Sequence, residues 1–367
     1  MGGMGTSARG GGGPGVLFLP EPTGPCAVGM TSLWLTDASR PDPWATEVSA
    51  RELMVSLWYP AEPSDGPRAP YMTAAESALF LVSKGADGVP PDTLSTVRTN
   101  AVGDAPPAGR PRGLPLVVLS PGFTFPRATL TGLAEDLASH GYVVAGIEHT
   151  YESEATAFPD GRVTTGRARE APRRDRPEKV VAGRAADVRF VLDELTGTQP
   201  AWPGAALVDQ DRMAMAGHSI GGAAAIAAML ADARVRAGID MDGATCAEIP
   251  DAGLARPFLF LGKPPPAIVK GPGSTVSTWE RDWRRLTGWK RWLVVAGAIH
   301  ASFTDLPLVA DQAGIDVGAH LPGARSLDIT RAYVLAFFDE HLRGEPQSLL
   351  DGPSACYPEV GFRFLAE

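Results

Sequence analysis

From residue 114 onward the chain alternates two patterns. Short, unbroken apolar runs at 116–119, 142–147, 212–216, 237–241, 257–261 and 292–296 read as buried strands. Between them lie stretches with apolar residues at helical spacing: 128–140 (Leu130, Leu133, Leu137), 180–195 (Val181, Val188, Val191, Leu195) and the Ala-rich 221–230. A last helix at 329–342 is stopped by Gly344. Strands alternating with helices predict a mostly parallel sheet covered on both faces, where strands are continuously apolar. Two earlier runs, 31–36 and 53–58, alternate polar with apolar residues and predict an antiparallel edge; Pro60 ends the second.

The rest of the chain is less regular. Residues 61–113 are rich in Pro, Gly and Ser around one apolar patch at 79–82. They and residues 263–290 predict excursions or caps on a single domain spanning 16–367. Residues 151–176 predict a polar, Arg-rich loop. The Gly-rich stretch 1–15 lacks the regions of a secretory signal and predicts a disordered leader. A hydrophobic fraction of 44% is enough for a full core.

A formal net charge of −9 weighs against nucleic acid as a partner, since phosphate binding needs a positive face. No apolar run reaches the ~18 residues needed to span a bilayer, so no transmembrane segment is expected. The cysteines Cys26, Cys246 and Cys356 form no CxxC pair, which points to a reducing compartment and the cytoplasm.

The chemistry is concentrated in Gly217-His218-Ser219-Ile220-Gly221, a G-x-S-x-G sequence between an apolar strand and a small-residue helix. In that context it resembles the nucleophile elbow of the α/β-hydrolase fold, which raises a serine hydroxyl above the sheet at a helix N-terminus. A serine needs a general base. The histidines after Ser219 are His300, His320 and His341. His341 falls in the last helix and reads as a surface residue. His320 sits in a Gly/Pro loop and is the alternative base. His300 follows the last strand on a loop that can reach over the nucleophile, and it is the base of choice.

The acid must then lie between them. Asp240 and Asp242 both end the strand at 237–241; Asp242 is one step further out and abuts Gly243, which favours it, with Asp240 as a structural carboxylate. The oxyanion donors are expected at Ile220, just after the nucleophile, and at Phe123, because Pro121 in Ser120-Pro121-Gly122-Phe123 has no N–H. An ordinary Pro-Gly turn is the alternative for that loop. No cofactor is implied, and no zinc-type spacing of His and Cys appears.

The segments 119–127 (LSPGFTFPR), 136–145 (DLASHGYVVA), 217–223 (GHSIGGA), 238–243 (GIDMDG) and 297–305 (GAIHASFTD) together resemble the platelet-activating-factor acetylhydrolases of the plasma, or isoform II, type. The likeness runs from about residue 30 to 343. It implies an α/β-hydrolase fold, a triad of Ser219, Asp242 and His300, oxyanion donors at Phe123 and Ile220, and a serine esterase acting on short or oxidised acyl groups of a phospholipid. A broader carboxylesterase, a polyesterase and an acyl-processing enzyme of secondary metabolism are the alternative enzymes. A non-catalytic binding protein on the same scaffold would lack a triad member, and here all three are present.

Specificity residues are less sharply marked. Phe125 and Phe303 flank the expected site and line an acyl pocket or belong to the core. Trp279 and Trp283, four apart on a helix, are packing residues or a cap making transient membrane contact. The Arg-rich stretch 162–189 is a solvated surface or a site for anionic head groups. His149 at a strand end is a structural histidine or a pocket residue.

Overall fold

Along residues 114–120 the side chains take turns. Leu116 and Val118 enter one core and Val117 and Leu119 enter another, all at most 1% exposed. A strand buried on both faces has no polar side to show, which is why these runs read as continuously apolar.

The structure, a computed structural model, describes residues 15–172, 176–265 and 274–363. The strands in chain order are β1 (Val28–Asp37), β2 (Arg51–Pro60), β3 (Val102–Gly103), β4 (Leu114–Ser120), β5 (Val143–Glu148), β6 (Ala155–Ala157), β7 (Val163–Thr165), β8 (Val208–His218), β9 (Val235–Met241), β10 (Phe258–Gly262), β11 (Lys290–Val295) and β12 (Val360–Phe362). The helices are α1 (Ala74–Ser83), α2 (Thr131–Ser139), α3 (Arg176–Thr196), α4 (Ile220–Ala231), α5 (Thr275–Trp283), α6 (Leu306–Gln312) and α7 (Gly323–Phe338).

Ten strands form one sheet in the order β12-β11-β10-β9-β8-β4-β5-β2-β1-β3, and β6 and β7 make a separate hairpin. From β11 across to β5 all neighbours are parallel. β2 runs antiparallel to β5 and β1 antiparallel to β2, which is the expected edge, extended by the two-residue β3. Val181, Val188, Val191 and Leu195 of α3 and the alanines of α4 pack against the Leu116 face. Leu133 and Leu137 of α2 and Val334, Phe337 and Phe338 of α7 pack against the other. A parallel sheet covered on both faces by helices is the α/β architecture that the pattern predicted.

Several elements differ from expectation. The helix expected from 128 opens with a 3-10 turn, Arg127–Leu130, before α2. The last helix starts earlier than expected, at Gly323, and its end continues as a π turn, Asp339–Arg343. His341 in that turn is not a surface residue. Its ring packs 4.4 Å from Trp289 and 4.7 Å from Phe337, and burial pushes its pKa down to about 4.

The 61–113 excursion holds α1, opened by a capping box in which Thr73 and Glu76 satisfy each other's backbone N–H groups. The Arg-rich loop holds the β6–β7 hairpin. Residues 1–14 of the expected leader and 266–273 of the second excursion lie outside the described residues.

Candidate active site

The C-terminal ends of β4, β8 and β9 lie side by side in the sheet. Such a set of strand ends is where an open parallel sheet places its chemistry. β8 ends at His218, and Ser219 then adopts φ 57° and ψ −127°, a conformation a non-glycine residue takes only when its surroundings impose it. The imposition is visible. Ser219 N–H donates to Met241 O at 2.8 Å. The glycines around the turn leave no room for a side chain: a Cβ on Gly217 would lie 2.2 Å from the Gly221 carbonyl carbon, and one on Gly221 2.1 Å from Ser120 O. The elbow therefore works only with glycine at those positions.

Asp242 follows β9 in a second left-handed conformation, φ 60°, with its N–H on Leu261 O. His300 follows β11 on a short 3-10 turn. These three side chains meet. Ser219 Oγ lies 2.9 Å from His300 Nε2, and His300 Nδ1 lies 2.6 Å from Asp242 Oδ2. Since a carboxylate only accepts, Nδ1 carries the proton and Nε2 is free to accept from the serine.

Burial works against ionisation of Asp242. The hydrogen bond from His300 and the charges of His300 and Lys263 outweigh it and hold the carboxyl below its ordinary range. Lys263 Nζ is 2.7 Å from the same oxygen, Oδ2.

Asp240 faces elsewhere. Its Oδ1 accepts from Gly243 N–H at 2.7 Å and its Oδ2 from Trp279 Nε1 at 3.0 Å. Burial raises it well above the carboxylate range despite those bonds. It ties the Asp242 turn to α5, which also explains Trp279 and Trp283: both are core residues, 2% and 8% exposed, and not a membrane-touching cap.

His320 is exposed and belongs to no contact with Ser219. His149 is structural. Its Nδ1–H donates to Asp187 Oδ2 at 2.7 Å and its Nε2 accepts from Ser120 Oγ at 2.9 Å.

The N–H of Ile220 opens α4, where a helix leaves its first donors without partners. Phe123 follows Pro121-Gly122 at the end of β4. Among the described residues neither N–H has a hydrogen-bond partner, so both are available to an oxyanion.

Two positioning residues were not anticipated. Arg184 of α3, 1% exposed, donates to Pro121 O and Ser120 Oγ and pairs with Glu152, bracing the turn that carries Phe123. Its signal was in the sequence: Val180, Arg184 and Val188 share one helical face, so an arginine stands where the helix is buried. His218, fully buried, donates Nε2–H to the His300 carbonyl at 2.7 Å and holds the loop that carries His300. Burial, helped by the charge of His300, drives its pKa down to about 3, so it stays neutral.

Phe125 and Phe303 separate. Phe125 lines an apolar cavity of about 170 Å³, together with Ile299 and Ala301 on either side of His300. Phe303 is 2% exposed and packs in the α2–α7 core, away from that cavity. A second cavity, about 240 Å³, lies over β1 and β2 between Glu76, Arg127 and Glu148; Ser219, Asp242 and His300 line neither cavity, but only the first is lined by the two neighbours of His300. In the Arg-rich stretch, Arg162 pairs with Glu52 and Asp160, Arg167 with Glu47 and Arg169 with Glu154, so these charges are already matched.

The profile of the family described as platelet-activating factor acetylhydrolase, isoform II, matches residues 18–171. A relative from Arthroderma benhamiae named "Probable 1-alkyl-2-acetylglycerophosphocholine esterase" is 30% identical over 95% of this chain and 94% of its own length. The platelet-activating factor acetylhydrolase of Cavia porcellus is 24% identical over 62% of this chain and 56% of its own. A solved structure, the ferulic acid esterase from Streptomyces cinnamoneus, is 45% identical, covers 95% of this chain and 99% of its own, and superposes with a TM-score of 0.85.

Fold, strand-end site and relatives together make this chain a serine ester hydrolase of the α/β-hydrolase fold. Within that class it belongs to the platelet-activating factor acetylhydrolase, isoform II, family. Among the described residues no helix is long and apolar enough to cross a membrane.

Proposed function

We propose that the chain hydrolyses carboxylic esters by acyl transfer through Ser219, with His300 as general base and Asp242 as its orienting carboxylate. The observation that carries this reading is the unbroken contact chain Ser219 Oγ–His300 Nε2–His300 Nδ1–Asp242 Oδ2, at 2.9 and 2.6 Å. Ser219 attacks the ester carbonyl as His300 takes its proton. The oxyanion is held by the N–H groups of Phe123 and Ile220, each worth on the order of 3 kcal/mol of transition-state stabilisation. His300 then protonates the leaving alcohol, and water, activated by the same imidazole, releases the acid. Asp242 fixes the tautomer and stabilises the imidazolium.

The leading substrate class is an ester of a short or oxidised acyl group, as on the phospholipids of the acetylhydrolase relatives. A second reading, an ester of an aromatic acid such as a feruloyl ester, is favoured by the 45% identity to the Streptomyces enzyme over nearly its whole length. The cysteines Cys26, Cys246 and Cys356 are unpaired, which supports the cytoplasm as its compartment.

The deciding experiment is labelling by a fluorophosphonate probe, read as intact mass. One adduct is expected on the native chain and none on Ser219→Ala or His300→Ala. An adduct that persists in Ser219→Ala sinks the assignment.

A further inference from the structure

One cation beside the site has no carboxylate partner among the described residues. Lys84 caps the C-terminus of α1 and lines the cavity that holds Phe125. Its ammonium lies 4.4 Å from the centre of the Phe125 ring and 5.0 Å from that of Phe80, and it donates to Thr124 Oγ1 at 2.8 Å. Burial, with the charge of Arg169 adding to it, brings its pKa down to about 8.

An ammonium carries three donors. One is used on Thr124, the two aromatic faces offer a cation–π attraction, and the rest are unspent. The other charged residue lining the cavity is Asp316, which is exposed at its rim.

The location matters as much as the charge. The Phe125 ring lies 5.5 Å from that of His218, the neighbour of Ser219, tilted by 36°, and Thr124 follows Phe123, the proposed oxyanion donor. Ile299 and Ala301 flank His300. Apart from Lys84, Asp316 and Thr93 the walls are apolar, and Phe80, Phe125, Leu306 and Val309 would hold hydrocarbon or a ring.

We propose that this cavity receives the acyl group of the preferred ester, and that Lys84 reads an oxygen acceptor at that group's far end. The acceptor is a carboxylate or a phenolic hydroxyl, the two chemistries that an oxidised aliphatic acyl chain and a hydroxyaryl acyl group would bring. The inference rests on the acyl-enzyme reading of Ser219. It makes Lys84 a specificity residue, because a site that hydrogen-bonds a substrate oxygen discriminates against the analogue lacking it.

The test is a ratio of kcat/KM within two matched ester pairs, measured on the full chain. One pair is 4-nitrophenyl hexanoate against the mono-4-nitrophenyl ester of adipic acid. The other is methyl cinnamate against methyl 4-hydroxycinnamate. The native enzyme is expected to favour the oxygenated member of one pair by about tenfold or more, and that pair identifies the source of the acceptor. Lys84→Met should bring the ratio to near one, chiefly through KM, while Lys84→Arg keeps part of it.

Turnover of simple esters with no preference in either pair, or a preference that survives Lys84→Met, overturns the inference and leaves the proposed function standing. Absence of fluorophosphonate labelling on the native chain overturns both.

Discussion

Lys263 and His300 contact the same oxygen of Asp242, at 2.7 and 2.6 Å. Lys263 therefore steadies the carboxylate and, in the proposed reaction, would oppose the positive charge that His300 takes on. His218, the other titratable group against His300, is held neutral by burial and adds no charge. Lys263→Met is expected to lower stability by up to about 1 kcal/mol, because the lysine is one-third exposed and solvent screens the pair. Urea unfolding checks it, and an unchanged midpoint would show that the pair adds nothing to the fold.

The two aspartates after β9 should part company on substitution. Asp242→Asn leaves His300 without its orienting anion and is expected to lower kcat by about 10⁴-fold with the fold intact. Asp240 is kept toward its neutral form by burial, and asparagine resembles that form. Asp240→Asn disturbs only the hydrogen bonds to Gly243 and Trp279, and is expected to lower stability by about 1–3 kcal/mol while kcat stays within about tenfold. Turnover of 4-nitrophenyl acetate and urea unfolding on both variants decide the matter; the reverse pattern would exchange their roles.

What the sequence made legible follows a physical line. Strands buried on both faces must be apolar throughout, so all of the central ones announced themselves. The elbow also did, because Gly217 and Gly221 are fixed by atoms about 2 Å from any added side chain. Arg184 and His218 did not. Each acts through a partner distant in the chain, Pro121 for one and the His300 carbonyl for the other, and no local pattern encodes such a pairing. α1 was missed although Thr73 and Glu76 spell a capping box, because the Pro- and Gly-rich surroundings outweighed it. Phe125 and Phe303 looked equivalent in sequence; only the packing of α2 and α7 puts one at the cavity and the other in the core.

Arg184 offers a way to separate stability from catalysis. Arg184→Met leaves Glu152 buried without its cation and should destabilise by about 3–5 kcal/mol. Adding Glu152→Gln removes the stranded charge and should restore most of that loss. It cannot restore the donor to Pro121 O, so kcat should stay depressed in the double variant. A double variant with native stability and native kcat would mean that the Phe123 turn holds its shape without Arg184.

The acid at the end of β5 gives a pH dependence with a definite sign. Glu148, 1% exposed, accepts from the Arg127 backbone and guanidinium through Oε2, while Oε1 has no partner among the described residues. Burial raises its pKa to about 7; the charge of Arg127 opposes the rise and that of Glu76 adds to it. A carboxyl with a higher pKa in the folded state than in the unfolded chain holds its proton more tightly when folded. Its contribution to stability is therefore full below the unfolded value of 4.5 and disappears as the pH climbs to about 7. The difference amounts to roughly 3 kcal/mol. Glu148→Gln cannot titrate, so its stability should lack this decline. Urea unfolding of both proteins at pH 4.5, 6 and 7.5 measures the gap, which must narrow or change sign toward neutral pH. Parallel stability curves for the two proteins would show that Glu148 is ionised throughout and that its free oxygen is satisfied by solvent from the neighbouring cavity.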